Sequence, residues 1–340
     1  MKALITGAAG FIGFHLARRL LSEGWRVTGL DGLTDYYDVA LKRSRLAVLE
    51  PFNEFRFAEA MLEDMAALER AAEDAGPDVI VHLAAQAGVR HSLEAPRRYI
   101  ESNLVGTFNV LEIAKAVRPR HFLHASTSSI YGADSQAPFS ERSASDHPLS
   151  LYAATKKAGE AMSHAWAHLW RIPTTALRFF TVYGPWGRPD MAAFKFVEAI
   201  RAGREIEVHN GGRMERDFTF IGDLVESLVR LIGLPPAAGA NGAGEIDSLS
   251  PTAPWRVVNV GGGEPVALDR FIACIEAALG ASAHCQSVPM GAGEMERTDA
   301  DPRLLQTLIG YTPATGIERG VRALCAWHLE HYPQGAPLFG

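Results

Sequence analysis

Residues 6–13 read TGAAGFIG, three glycines spaced three apart, and they stand between two segments of different period. Lys2-Ala-Leu-Ile5 is an apolar run closed by turn residues, the pattern of a buried strand. Phe11 to Glu23 carries Leu16, Leu20 and Leu21 on one side and Arg18, Arg19 and Glu23 on the other, the pattern of an amphipathic helix. Strand, glycine turn and helix in that order are the context that makes such a motif a dinucleotide site. Gly7 permits the tight turn, Gly10 lets a pyrophosphate approach the backbone, and Gly13 lets the helix pack closely. The anion then rests on the unpaired N–H groups that open the helix, at Phe11 and Ile12.

The glycine turn alone is a common motif, and Asp31 strengthens it. This residue follows the next apolar strand, Arg26 to Leu30. A carboxylate there accepts hydrogen bonds from both hydroxyls of an adenosine ribose and repels a 2′-phosphate, so the expected cofactor is NAD rather than NADP. Further strands are expected at 55–57, 78–83, 121–125 and 174–180, with helices at 65–74, 96–117 and 151–170 between them. This alternation predicts an α/β fold, a Rossmann-like doubly wound parallel sheet. After Gly184 the pattern loosens, and a smaller α/β C-terminal substrate-binding domain is expected. Residues 257–260 read as a return to the main sheet, and the Ala-, Gly-, Ser- and Pro-rich stretch 235–254 as a surface insertion or mobile loop. The expected division is 1–180 plus about 217–262 for the cofactor domain, and about 181–216 plus 263–340 for the substrate domain.

Composition narrows the function classes. With 47% hydrophobic and 21% charged residues among 340, a substantial core forms. A net charge of −6 gives no basic field for a nucleic-acid partner. Three cysteines, Cys274, Cys285 and Cys325, lack metal-like spacing and suit a reduced, cytoplasmic setting. The glycine turn stands so early that no signal peptide is expected, and no apolar run is long enough to span a membrane. His164 and His168 lie four apart on a helix without a third ligand, so they read as a solvated face or dimer contact, and no metal is expected.

The chemistry is expected at Tyr152-Ala-Ala-Thr-Lys156. Residues four apart share a helix face. A free tyrosine titrates near 10 and is a poor base at neutral pH, but a nearby ammonium favours the phenolate. Tyr152 can then take a proton from a sugar hydroxyl as hydride leaves the same carbon. Taken alone, this short pattern also occurs by chance. The preceding strand ends in ASTSSIYG, whose hydroxyls, among them Thr127, Ser128 and Ser129, fall at the sheet edge that faces a cofactor.

TGAAGFIG, HLAAQAGVR, ASTSSIYG, YAATK and RFFTVYGPWGRPDM together resemble the extended short-chain dehydrogenase/reductase family. With LTDYYDVALK and GRMERDFTFIGDLV they are most similar to its bacterial UDP-glucuronate 4-epimerases. The likeness runs from about Met1 to about Leu231. It implies Tyr152 as base, Lys156 as its support and Thr127 as helper at the 4-hydroxyl. It implies NAD contacts at Gly7, Gly10, Phe11, Ile12, Gly13, Asp31, Asp35, Leu62, Leu83, Ala84 and Ala85, besides Tyr152 and Lys156. It implies a UDP-sugar substrate and a homodimer formed through helices 99–117 and 152–170.

The dehydratases and decarboxylases of the family carry acids where this chain has Ser128 and Ser129, which favours epimerisation. Oxidising C4 of a uronic acid gives a β-keto acid that loses CO₂ readily, so the carboxylate must be held. Ser128, Ser129 and Thr181 are expected to donate to it. Arg188 and Arg90 are expected on the carboxylate or diphosphate, with a surface salt bridge as the alternative for each, and Arg216 on the diphosphate. Three positions depart from the family. Met61-Leu62 stands where an Asp usually contacts adenine, Gly32 replaces a frequent Asn, and Gly291-Ala-Gly-Glu294 replaces Gln-Pro-Gly-Asp. A UDP-hexose or UDP-N-acetylhexosamine 4-epimerase is the alternative enzyme, and a nucleotide-binding regulator without turnover the alternative class.

Overall fold

The structure, a computed structural model, describes residues 1–133, 135–239, 243–291, 293 and 295–332. The chain alternates from its start: β1 (Lys2–Thr6), α1 (Phe11–Ser22), β2 (Arg26–Asp31), α2 (Val39–Leu49), β3 (Phe55–Glu59), α3 (Met65–Ala75) and β4 (Val79–His82). Short helices α4 (His91–Glu94) and α5 (Pro96–Tyr99) lead through a π-helical stretch, Ile100–Val105, into α6 (Gly106–Val117). The helix expected over 96–117 is therefore present but locally widened. Then come β5 (His121–Thr127), α7 (Leu151–Trp170) and β6 (Thr174–Phe179).

The later chain is more interleaved. It runs through β7 (Thr181–Tyr183), α8 (Ala192–Arg201), β8 (Glu205–His209), β9 (Glu215–Phe220), α9 (Ile221–Ile232) and β10 (Trp255–Val260). It ends with β11 (Pro265–Ala267), α10 (Leu268–Leu279), β12 (His284–Val288), β13 (Arg297–Thr298), α11 (Arg303–Ile309) and α12 (Ile317–His331).

Seven strands form one parallel sheet in the order β10–β6–β5–β4–β1–β2–β3. The expected return of residues 257–260 to this sheet is β10, paired with β6. Both faces of the sheet are buried, which is why its strands read as unbroken apolar runs. Ile5, Val81 and Leu123 point into one core with α1 and α9. Their neighbours Leu4, Ile80 and Phe122 point into the other, with α3 and α6. Strand order reverses between β1 and β4, and ligands of such sheets bind beyond the carboxyl ends of the strands at that point.

A second core joins α8, α10 and α12 through Phe194, Val197, Phe271, Ile275, Val321 and Leu324. Beside it β9 pairs with β7, β11 and β13, and β8 pairs with β12. Residues 215–220 thus belong to the small sheet, and α11 reaches back to the large core through Leu305. Of the expected insertion, residues 240–242 lie outside the described residues. Its second half is pinned: Asp247 pairs with Arg256 at 2.8 and 2.9 Å, His164 meets Ser250 Oγ at 2.9 Å, and His168 meets Thr252 O at 2.9 Å. These contacts to a loop of the same chain account for the two helical histidines.

The glycine turn joins β1 to α1 by close backbone packing. Gly7 has φ of +75°, and a Cβ there would sit 2.8 Å from Ala84 N. A Cβ on Gly13 would sit 2.0 Å from the Gly7 carbonyl oxygen. Backbone cannot yield as a flexible side chain does, so Gly13→Ala is expected to lower stability by about 1–3 kcal/mol and to abolish tight dinucleotide binding. Denaturant unfolding together with NAD titration checks both effects.

Candidate active site

A cleft opens at the reversal point of the sheet. Gly7, Gly10, Phe11, Ile12 and Gly13 form its floor, Leu83, Ala84 and Ala85 follow from the end of β4, and Asp31 closes it at the end of β2. The first turn of α1 has no side-chain cap and no acidic residue, so its opening N–H groups are left for an anion. Asp31 accepts from Ala9 N at 3.1 Å and Leu33 N at 2.9 Å, and burial pushes its carboxyl upward against those bonds and the nearby Lys42. Each carboxylate oxygen keeps a second lone pair. A floor that a Cβ would fill, uncapped N–H groups and a terminal carboxylate fit a dinucleotide without a 2′-phosphate.

Two departures noted in the sequence meet at the adenosine end of this cleft. A Cβ on Gly32 would fall 2.3 Å from Met61 Sδ, so the thioether of Met61 lies over Gly32. Small residue and long residue are packed as a pair. Leu62 lines the same wall. Ala292 and Glu294, from the third departure, lie outside the described residues.

The other half of the cleft is built by β5, α7 and the segment after β6. Ser150 caps α7 by accepting from Ala153 N, which sets Tyr152 in the first turn and Lys156 one turn on. Tyr152, Lys156, Thr127, Ser128, Ser129, Thr181 and Arg188 all line this half. Lys156 donates to Ala125 O at 2.8 Å and is buried, which lowers its ammonium to about 8. Burial raises the Tyr152 phenol, while the Thr127 hydroxyl and the Arg188 charge act downward. The lowering expected of Lys156 at this phenol is therefore supplied among protein groups by Thr127 and Arg188, and burial outweighs it.

Arg188 enters the cleft already paired. Its Nε donates to Asp190 Oδ1 at 3.0 Å, its Nη2 to Oδ2, and its guanidinium lies 5.9 Å from the centre of the Tyr36 ring. Tyr36 OH donates to the same carboxylate at 3.0 Å.

Three expected ligand residues are placed outside the cleft wall. Asp35 is exposed and meets Arg98 at 3.1 Å, while its neighbours Thr34, Tyr36 and Tyr37 line the cleft. Arg90 directs Nη2 to His209 Nε2 at 2.6 Å, across to the end of β8. Arg216 spends Nη1 on the carbonyls of Glu215 and Glu296, at 2.9 and 3.0 Å.

Sequence reasoning also missed residues. Lys42 lines the cleft near Asp31, held by Thr34 O at 2.6 Å. The fully buried Arg45 donates to Ala9 O at 2.8 Å, Tyr37 OH at 2.7 Å and Trp186 O at 2.7 Å, joining the glycine turn to the loop that carries Arg188. Asn103, on the π-helical stretch, donates to Gln86 O and Thr155 Oγ1, both at 3.0 Å, and ties the loop after β4 to α7. Lys42 stands in a motif already singled out. Asn103 and Arg45 gave no local signal, since neither periodicity nor spacing marks a residue that bridges distant segments. Among the described residues no cluster of His, Cys, Asp or Glu could hold a metal ion.

A doubly wound sheet whose glycine turn, terminal carboxylate and Tyr-x-x-x-Lys helix meet in one cleft is the arrangement of the extended short-chain dehydrogenase/reductases. The profile of the NAD dependent epimerase/dehydratase family matches residues 3–243, and the chain belongs to that family. It is 56% identical over 334 residues to a probable UDP-glucuronate 4-epimerase of Rhizobium meliloti (strain 1021), covering 98% of both chains. It is 40% identical to UDP-glucuronate 4-epimerase 2 of Arabidopsis thaliana, covering 98% of this chain and 77% of that one. Among solved structures it resembles the UDP-glucuronic acid 4-epimerase of Bacillus cereus in complex with UDP-glucuronic acid and NAD, with a TM-score of 0.87 and 32% identity over 98% of this chain and 100% of that one.

The buried lysine gives a pH signature. Burial lowers its ammonium from the ordinary lysine value of 10.5 to about 8. Between those values the unfolded chain binds the extra proton, so the contribution of Lys156 to stability rises with pH across that window, by at most about 1.4 kcal/mol per unit. Unfolding free energies measured from pH 7 to 10.5 are expected to show this rise in the native chain relative to Lys156→Met.

Proposed function

We propose that this chain is an NAD-dependent epimerase that inverts C4 of UDP-glucuronate to give UDP-galacturonate and retains the carboxylate. The observation that carries the reading is the set of side chains beside Thr127. Ser128, Ser129 and Thr181 line the cleft with Arg188, and the two positions after Thr127 hold hydroxyls and no acid. Such a site offers donors to a carboxylate and offers no acid to expel a leaving group or remove a C5 proton. The relatives named above support the same substrate.

NAD, when bound, accepts hydride from the sugar C4 and returns it, and its ring charge favours the phenolate. Tyr152 takes the proton of the 4-hydroxyl and gives it back on the other face, and Thr127 hydrogen-bonds the same oxygen. Lys156, one helical turn on and on the same face, holds the end of β5 to α7 through Ala125 O. The 4-keto sugar turns about its diphosphate between the two transfers. Ser128, Ser129 and Thr181 hold the carboxylate near the plane of the ketone, where its bond to C5 overlaps poorly with the carbonyl and CO₂ is retained. Arg188, balanced by Asp190, orients that carboxylate with little excess charge.

The same reading assigns the nucleotide cofactor to 1–180 with about 217–262, apart from β9, which stands in the small sheet, and the sugar nucleotide chiefly to the remainder. It includes a homodimer through helices 99–117 and 152–170, where Val105 on the π-helical stretch, Phe108 on α6 and Leu169 on α7 are exposed apolar residues. It also includes a cytoplasmic setting, and among the described residues no helix is long and apolar enough to cross a membrane.

Purified protein mixed with UDP-glucuronate and no added NAD, followed by NMR, is expected to form UDP-galacturonate without CO₂. Turnover of UDP-glucose or UDP-N-acetylglucosamine instead would overturn the substrate assignment. Tyr152→Phe is expected to lose about 10²–10⁴-fold in kcat while still binding UDP-glucuronate by calorimetry. Thr181→Ala is expected to raise the fraction of turnovers that release CO₂, read by trapping labelled CO₂ from the uronate carboxyl.

A further inference from the structure

The order of the strands sets where each part of a bound dinucleotide falls. The glycine turn after β1 takes the pyrophosphate, and Asp31 at the end of β2 takes the ribose beside it. β3 is the next strand and the last on that side of the sheet, paired with β2 so that Glu59 stands opposite Asp31. Ala60 N donates to Asp31 O at 3.1 Å and keeps the chain beside β2 for one residue more. Neighbouring strands lie about 4.8 Å apart, so the wall that meets the base beyond that ribose is the segment leaving β3, Ala60-Met61-Leu62. All three residues line the cleft.

This wall has no nitrogen or oxygen in its side chains. It consists of a methyl, a thioether and an isobutyl group, and they are held unequally. Leu62 is buried on Gly106 of α6, where an added Cβ would come within 2.6 Å of the Leu62 Cβ, and Asn109 donates to its carbonyl at 2.9 Å. Met61 is 43% exposed, and its sulfur occupies the place that a side chain at position 32 would take. A thioether on three rotatable bonds adapts to an aromatic surface laid on it. The polar side chains that line the cleft stand on other segments. Lys42 donates to Thr34 O at 2.6 Å and to Thr34 Oγ1 at 3.2 Å, and Ser102 belongs to the π-helical stretch. The composition of the wall bears on selectivity. A site that hydrogen-bonds a ligand group rejects the analogue lacking it by about 10⁴–10⁵, because the site's own polar atoms are left unpaired, whereas an apolar pocket separates near-isosteres by about 10² at most.

We propose that this chain holds the base of its dinucleotide by apolar contact with Met61 and Leu62, without a side-chain hydrogen bond to the exocyclic group, and so accepts nicotinamide dinucleotides that carry a purine other than adenine. Selection for NAD then rests on Asp31 at the ribose and on the glycine turn at the pyrophosphate, parts that such analogues share. Met61 is the residue that sets this tolerance, since it stands on the wall with its side chain free to follow the base.

The test is a competition for binding. The native protein is brought to equilibrium with an equal, saturating mixture of NAD and nicotinamide hypoxanthine dinucleotide, in which a carbonyl replaces the 6-amino group of the base. Unbound nucleotide is removed by gel filtration, the protein is denatured, and the released dinucleotides are quantified by chromatography. The expected result is that the two are bound within tenfold of one another. A preference of tenfold or more for NAD would overturn the proposal, and its loss in Ser102→Ala would trace base selection to that hydroxyl instead. Met61→Asp supplies a carboxylate that accepts from an amino group and repels a carbonyl, at a position exposed enough to carry a charge. That variant is expected to favour NAD at least tenfold more strongly than the native chain does. An unchanged ratio in Met61→Asp would mean that position 61 does not meet the base, and it too would overturn the proposal. Because the readout is bound nucleotide, neither result depends on which sugar the enzyme takes.

Discussion

The contact on which the site depends is backbone against backbone. The Gly7 carbonyl lies so close to Gly13 that a single methyl there would overlap it, at 2.0 Å. This brings the first turn of α1 down onto the end of β1, and with it the N–H groups that an anion needs. The parallel sheet then fixes everything else by register. β4 pairs beside β1 and delivers Leu83, Ala84 and Ala85 to the same cleft, and β5 beside β4 delivers Thr127. Strand length and register, rather than loops, decide where the Thr127 hydroxyl stands.

A few buried polar side chains hold the irregular segments to this frame. Arg45 joins the glycine turn to residues 186 and 187, and Asn103 joins the loop after β4 to the helix of Tyr152. The buried pair of Glu160 on α7 and Arg178 on β6 holds the end of β5 through Ser126. Each satisfies backbone carbonyls or hydroxyls that burial would otherwise leave unpaired, a cost of about 1–3 kcal/mol apiece. The same contacts couple cofactor side and sugar side, so the two halves of the cleft are held in one geometry.

Charge in the cleft is arranged in pairs. Asp31 has Lys42 near it, Arg188 has Asp190, and one turn beyond Lys156 the buried Glu160 has Arg178. The buried histidines near the lysine, His82 and His124, are neutral. In the proposed reaction the change of protonation then falls on one phenol while the other charges stay offset.

The glycine turn, the terminal Asp31, the seven parallel strands and the Tyr152–Lys156 helix were legible in the sequence because each rests on a local rule: a forbidden Cβ, a period of two or of 3.6, a spacing of four. The residues that line both halves of the cleft followed from those rules and from family resemblance. What the chain could not reveal alone was where long charged side chains end. Asp35 turns to Arg98, Arg90 to His209, and Arg216 to the carbonyls of Glu215 and Glu296, while Arg188 arrives already bound to Asp190. The fit of Met61 over Gly32 and the bridging roles of Arg45 and Asn103 were equally hidden. Local geometry is written in neighbouring residues, but the partner of a flexible side chain is chosen among distant segments, 141 and 142 positions away for Arg45 with Trp186 and Gly187, and only the packed fold brings them within reach.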